Sequence, residues 1–122
     1  MYSAQLLDHF QNPRHVGDVA DADASVELEN PACGDVIRLS LKIDIDEERI
    51  VEIRFKAKGC VPAMACASAL TELVQGKRTS EVRNLKREDL IQAVGGLPHA
   101  SSHAAQLALD ALFAALAKLQ SD

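Results

Sequence analysis

The residues of this 122-residue chain that could do chemistry gather around three cysteines and a histidine. Cys33 and Asp35 flank Gly34 in "ENPACGDVIRL" (29–39), Cys60 follows Gly59, Cys66 lies six residues further on, and His103 sits in "LPHASSHAAQL" (97–107). Thiolate, imidazole and carboxylate are the donors that a tetrahedral zinc or an iron–sulfur centre selects. A glycine beside each thiol is expected to let the backbone approach a bulky inorganic group. Three is an odd number of cysteines, and no C-x-x-C pair occurs, which argues against a disulfide framework. Metal ligation, thiol chemistry and plain burial remain open for each thiol. On a helix, six residues turn the chain by about 240°, so Cys66 should point away from Cys60 and is only an alternative ligand. His99 is an alternative donor, while His9 and His15 are expected at the surface.

These residues need elements to hold them. "YSAQLLDHFQ" (2–11) reads as a short helix with Leu6, Leu7 and Phe10 on one side, stopped by Pro13 and Gly17. "SVELEN" (25–30) alternates as a strand, as does 36–43, with Ile37, Leu39, Leu41 and Ile43 opposed to Arg38, Ser40 and Lys42. A third strand over 50–58 opposes Val51, Ile53, Phe55 and Ala57 to Glu52, Arg54, Lys56 and Lys58, and "DIDEER" closes an antiparallel hairpin. The alternation predicts a sheet covered on one face, with a solvated, basic outer face. From Pro62 the period becomes helical up to a cap near Gly76; Thr79 or Ser80 should cap a short turn. "KREDLIQAV" (86–94) is a short helix ended by Gly95-Gly96, and a long last helix runs from about 101 to 119 with a Leu/Ala stripe. The fold class is α+β: a three-stranded antiparallel sheet, helices packed on one face and a long C-terminal helix, in a single domain over 1–122. On this map Cys33, Asp35, Cys60 and His103 all fall at junctions that could converge on one rim.

A net charge of −5 argues against nucleic acid or an anionic membrane as the main partner. "MYSAQLLDHF" lacks the basic start and apolar run of a signal peptide, no segment approaches a membrane helix, and a cytoplasmic location is expected.

Beyond these patterns, the chain resembles the iron–sulfur cluster assembly scaffolds of the IscU type, equivalent to the N-terminal domain of NifU proteins. "LLDHFQNPRHVGD" is similar to the family's D-H-[YF]-x-N-P-R-x-x-G stretch, "NPACGDVIRLSLKI" to its A-C-G-D motif, and "IRFKAKGCVPAMACASALTELVQGK" to its aromatic-x-x-x-G-C segment and following helix. The three motifs occur in the family's order and span essentially the whole chain. The resemblance implies one scaffold domain, without NifU's further domains or the insertion of SufU proteins. It implies a site at one end of the sheet for a transient [2Fe–2S] cluster or iron, sulfur received from a cysteine desulfurase, delivery to apo iron–sulfur acceptor proteins, and no enzymatic turnover.

Two departures qualify what is carried over. Where the family has L-P-P-x-K-x-H-C, this chain has "LPHASSHA", so His103 matches the histidine and Ala104 replaces a third cysteine. The site carried over residue by residue is Cys33, Asp35, Cys60 and His103. With only Leu97 and Pro98 kept from the chaperone-recognition segment, binding of an Hsp70-type chaperone is not expected. Asp35, an oxygen donor among thiolates, would be the readily exchanged ligand of a scaffold that must release its cargo. The competing reading is a diverged member that binds zinc or iron as a metal-binding or regulatory protein and assembles no cluster, since two thiolates, an imidazole and a carboxylate already complete a tetrahedral zinc site.

Overall fold

The computed structural model describes residues 2–120. Helix α1 (Ala4–Gln11) precedes three strands, β1 (Ala24–Asn30), β2 (Asp35–Asp44) and β3 (Arg49–Lys58). Helices α2 (Val61–Val74), α3 (Thr79–Val82), α4 (Arg87–Ala93) and α5 (Ser102–Gln120) follow, with a single 3-10 turn at His99–Ser101 just before α5. The strands form one antiparallel sheet in the order β1-β2-β3. Helix α5 lies along β1 and β2, α2 along β3, and α1 on the outside of α2. Ile37, Leu39, Leu41, Ile53 and Phe55 of the sheet share one buried cluster with Ala63, Ala67 and Leu70 of α2 and Ala108, Leu112 and Leu116 of α5. Alanines where two helices meet the sheet keep the layers close, which suits thin packing with no room for water. No helix among the described residues is long and apolar enough to cross a membrane.

Start and stop signals act locally as their chemistry requires. Ser3 caps α1 by accepting the Leu6 N–H at 2.9 Å, and Pro62 sits in the first turn of α2, where a missing N–H costs nothing. Thr79 is not a cap but the first residue of α3; the cap position belongs to Arg78, whose N–H is taken by Glu81 at 3.2 Å.

Two expectations about the sheet need correction. Val51 is 47% exposed while Ile50 is fully buried. The register runs Leu41↔Ile53 and Lys42↔Glu52 but then Ile43↔Ile50, so Val51 is the extra residue of a β-bulge that reverses the alternation. Ser40, expected on a solvated face, is buried, because residues 12–23 cross the outer side of the sheet as a strap. The strap pairs with the edge of β3 (Phe55 N–H to His15 O, 2.9 Å; Gly17 N–H to Phe55 O, 2.8 Å). It then reaches Arg38 and Lys56 through Asp18, at 2.9 and 3.1 Å, and gives the Val19 N–H to Ser40 Oγ. An edge strand is thereby closed, and part of the basic face is neutralised.

Candidate metal centre

Three junctions meet at one end of the sheet. Between β1 and β2 the chain turns through residues 31–34: the Asn30 carbonyl accepts the N–H groups of Cys33 (3.2 Å) and Gly34 (2.8 Å), and Asn30 Oδ1 accepts Ala32 N–H (3.1 Å). The side-chain bond to the backbone two residues on is the asparagine's usual way of making a turn. Gly34 closes it with φ +71°, and a side chain there would touch nothing within 4 Å. Gly34 therefore serves the backbone turn, with open space beside it. The glycine pressed against a protein neighbour is Gly59, at φ +132°: a Cβ there would lie 2.1 Å from Asp35 Oδ1 and 2.9 Å from Asp35 Cα.

Asp35 opens β2 and is fully buried. Its Oδ1 accepts the Cys60 N–H at 2.8 Å, its Oδ2 accepts the Cys60 thiol at 3.2 Å, and His103 Nε2 lies 3.6 Å from Oδ2. The donor atoms of Cys33, Asp35 and His103 all fall within 4.8 Å of one another. Cys60 is outside that group and touches it through the Asp35 carboxylate. Cys33 is exposed and Cys60 half-buried, so one thiol faces solvent and the other is held inside the rim.

In the neutral His103 ring Nδ1, 3.1 Å from the Ala100 carbonyl that can only accept, carries the proton. Nε2 is then an acceptor 3.6 Å from Asp35 Oδ2; a second proton there would make the contact an ion pair. Nε2 is buried and has no hydrogen-bond partner among the described residues. A buried acceptor left unpaired is costly in a folded protein, and a metal ion is a group that would satisfy it. Both outer thiols are harder to ionise than usual. Desolvation and then Asp35's charge raise Cys33; desolvation leads at Cys60, with Asp35 and Cys33 adding to it and the Ala63 N–H opposing it. Binding a cation would displace those protons.

The remaining candidates fall outside this constellation. Cys66 is fully buried, and burial pushes its thiol up to about 12. His99 does not join the donor group among the described residues. Ala104 is fully buried beside His103 in sequence, on the core side of α5. The expectation that His9 and His15 are surface residues is wrong. His9 is buried with Nδ1 2.9 Å from Ser68 Oγ, and His15 is half-buried with Nδ1 3.1 Å from Thr71 Oγ1. No residue spacing announced this, because α2 supplies the partners from 56 to 59 residues away.

The family model described as NifU-like N terminal domain matches residues 1–122. The chain belongs to the NifU-like N-terminal-domain family. The iron–sulfur cluster assembly scaffold protein IscU of Escherichia coli strain K12 is 40% identical over 123 residues, covering 98% of this chain and 94% of that one. The scaffold protein IscU 1 of Archaeoglobus fulgidus is 42% identical over 112 residues, 92% of this chain and 72% of the relative. The crystal structure of a nitrogen-fixing NifU-like protein (N-terminal) from Brucella abortus superposes with a TM-score of 0.82 over 98% of this chain and 94% of that one. At 16% identity that likeness speaks for the fold alone. The three-stranded sheet, the packed helices and the long C-terminal helix are thus those of the family.

Proposed function

We propose that the protein is an iron–sulfur cluster assembly scaffold that holds iron or a transient [2Fe–2S] cluster as cargo on Cys33, Asp35, Cys60 and His103. The observation that carries this reading is the buried, unpaired Nε2 of His103, aimed at a carboxylate that also meets a thiol. Relatives about 40% identical over most of the chain carry the scaffold name. On this reading the site is a holder of cargo and not a catalyst. A cysteine desulfurase supplies sulfur, apo iron–sulfur proteins receive the product, and the protein works in the cytoplasm. The exposed Cys33 suits such exchange, because a partner can reach its sulfur without opening the core.

A second reading has its own observation. Ala104 puts a methyl group where the resemblance calls for a third thiol, and two sulfurs, one nitrogen and one oxygen form a complete set for a single zinc or iron ion. Anaerobic purification with metal and acid-labile sulfide analysis, followed by reconstitution with iron and sulfide, separates the two. Iron with stoichiometric sulfide supports the scaffold. Zinc alone, with no cluster on reconstitution, supports the simple metal-binding protein. A chain that takes up neither metal overturns both.

A further inference from the structure

The Asp35 carboxylate touches Cys60 at two atoms, and the two contacts have different meanings. Oδ2, 3.2 Å from the thiol and 3.6 Å from His103 Nε2, faces the donors. Oδ1 faces the backbone and takes the Cys60 N–H at 2.8 Å. Cys60 is the N-cap of α2, with extended backbone (φ −74°, ψ 159°) and no capping bond from its own side chain. In a capping box, a carboxylate of the helix's first turn bonds back to the N-cap N–H. Here the carboxylate comes from another element, the first residue of β2. The β3–α2 junction is moulded on it, since any side chain at Gly59 would collide with Asp35 Oδ1 and Cα.

We infer that Asp35 is a positioning residue for Cys60 as well as a donor: Oδ1 stays on the Cys60 amide, holding that cysteine at its ligand position before any metal arrives, and only Oδ2 is offered to cargo. The statement about Oδ2 rests on the metal-site reading proposed above; the lock on Cys60 is a property of the metal-free chain. A carboxylate 1% exposed would not tolerate leaving either oxygen unpartnered, which accounts for the contacts on both. The arrangement also divides labour between the thiols. Cys60 is held on the carboxylate, while Cys33, exposed on its turn, already stands with Asp35 and His103 in the donor group.

Two variants of the full chain separate the lock from ligation. Asparagine at 35 keeps an Oδ1 acceptor but puts an NH2 group, which cannot ligate, in place of Oδ2; alanine removes both. In metal-free protein, amide exchange at Cys60 followed by NMR should accelerate about tenfold or more in Asp35→Ala and stay within about threefold of the parent in Asp35→Asn. Zinc affinity, read by competition with a chelator, should fall in both variants. If Asp35→Ala does not fold, the decision passes to Asp35→Asn, in which loss of Cys60 amide protection in a folded chain overturns the lock. Unchanged Cys60 exchange in a folded Asp35→Ala also overturns it, and parental zinc affinity in Asp35→Asn overturns the assignment of Oδ2. A parent that binds no zinc, iron or cluster while Cys60 protection still depends on residue 35 would remove the proposed function and leave the lock standing.

Discussion

Two histidines of this molecule carry the same tautomer and lead opposite lives. At the seam between the strap and α2, the Thr71 hydroxyl donates to the Ser68 carbonyl at 2.8 Å, so His15 Nδ1 must supply the proton in its 3.1 Å bond to Thr71 Oγ1. His15 Nε2 is then an acceptor, and the Gln75 amide answers it at 3.3 Å. At the rim, His103 Nδ1 likewise gives its proton to a backbone carbonyl, but Nε2 is buried without a hydrogen bond and meets only Asp35 Oδ2 at 3.6 Å. His9 belongs with His15: Ser68 bonds one nitrogen, and the other, 3.6 Å from Glu72, is not a buried unpaired atom. The seam is a closed polar network that glues the N-terminal segment to α2. The rim is the same kind of chemistry left open on one side. Composition does not separate the two regions; the buried nitrogen without a hydrogen bond does.

The contrast breaks most sharply at the thiols. Replacing Cys33 or Cys60 with alanine should weaken zinc or iron binding by about a hundredfold or more, ~2.8 kcal/mol, while Cys66→Ala leaves affinity within about twofold. Chelator competition on the three variants checks it. A Cys66 variant that loses binding would move the ligand set into the helix and erase the difference between buried and rim sulfur.

Restoring a third thiol should sharpen the rim instead. Ala104→Cys is expected to extend the lifetime of a reconstituted [2Fe–2S] cluster in air by about tenfold, ~1.4 kcal/mol, because thiolate suits such clusters better than imidazole. Position 104 is fully buried, so the added sulfur should also lower thermal stability by about 1 kcal/mol through overpacking. Following the visible absorbance of both proteins decides the first point. A parent cluster of equal durability would mean that two thiols suffice.

At the seam, the expected effect is on stability alone. Ser68 Oγ serves both His9 Nδ1 and the Arg14 N–H, each at 2.9 Å, and Ser68→Ala orphans both. The cost should be about 1–3 kcal/mol in denaturant unfolding, with metal affinity unchanged. Weakened zinc binding in this variant would show that the two polar regions are coupled.

The smallest effect is a pH dependence. Desolvation, with Arg14's charge behind it, lowers the His9 pKa against the pull of Glu72 and Asp8. The folded chain therefore holds His9 neutral at pH values where the unfolded chain, with an ordinary pKa near ~6.5, has begun to protonate. The stability tied to neutral His9 is present above that value and is lost as pH falls through it toward the lower folded pKa. His9→Gln should flatten this limb of the melting temperature against pH, and an unchanged slope would assign it to other groups.

Much of this was readable without coordinates. Alternation over 36–43 set the buried face of β2, and glycine and proline punctuation placed every helix to within a few residues. Three motifs led to the family, and with it to the proposed donors Cys33, Asp35, Cys60 and His103, because local propensity and motif spacing are properties of short stretches of chain. What the sequence left undecided depends on residues far apart. The bulge at Val51 appears only when β3 is registered against β2, and Ser40 is buried only because a strap arrives from 21 residues away. His9 and His15 looked like surface residues until α2 supplied Ser68 and Thr71. Asp35 read as an exchangeable ligand, and its grip on the Cys60 amide needed the start of β2 and the exit of β3, 25 residues apart, to be brought together over Gly59. Residue types determine what a group is able to bond. Whether a bond is already taken, as at His15, or kept open, as at His103, is decided by partners that only the packed chain supplies.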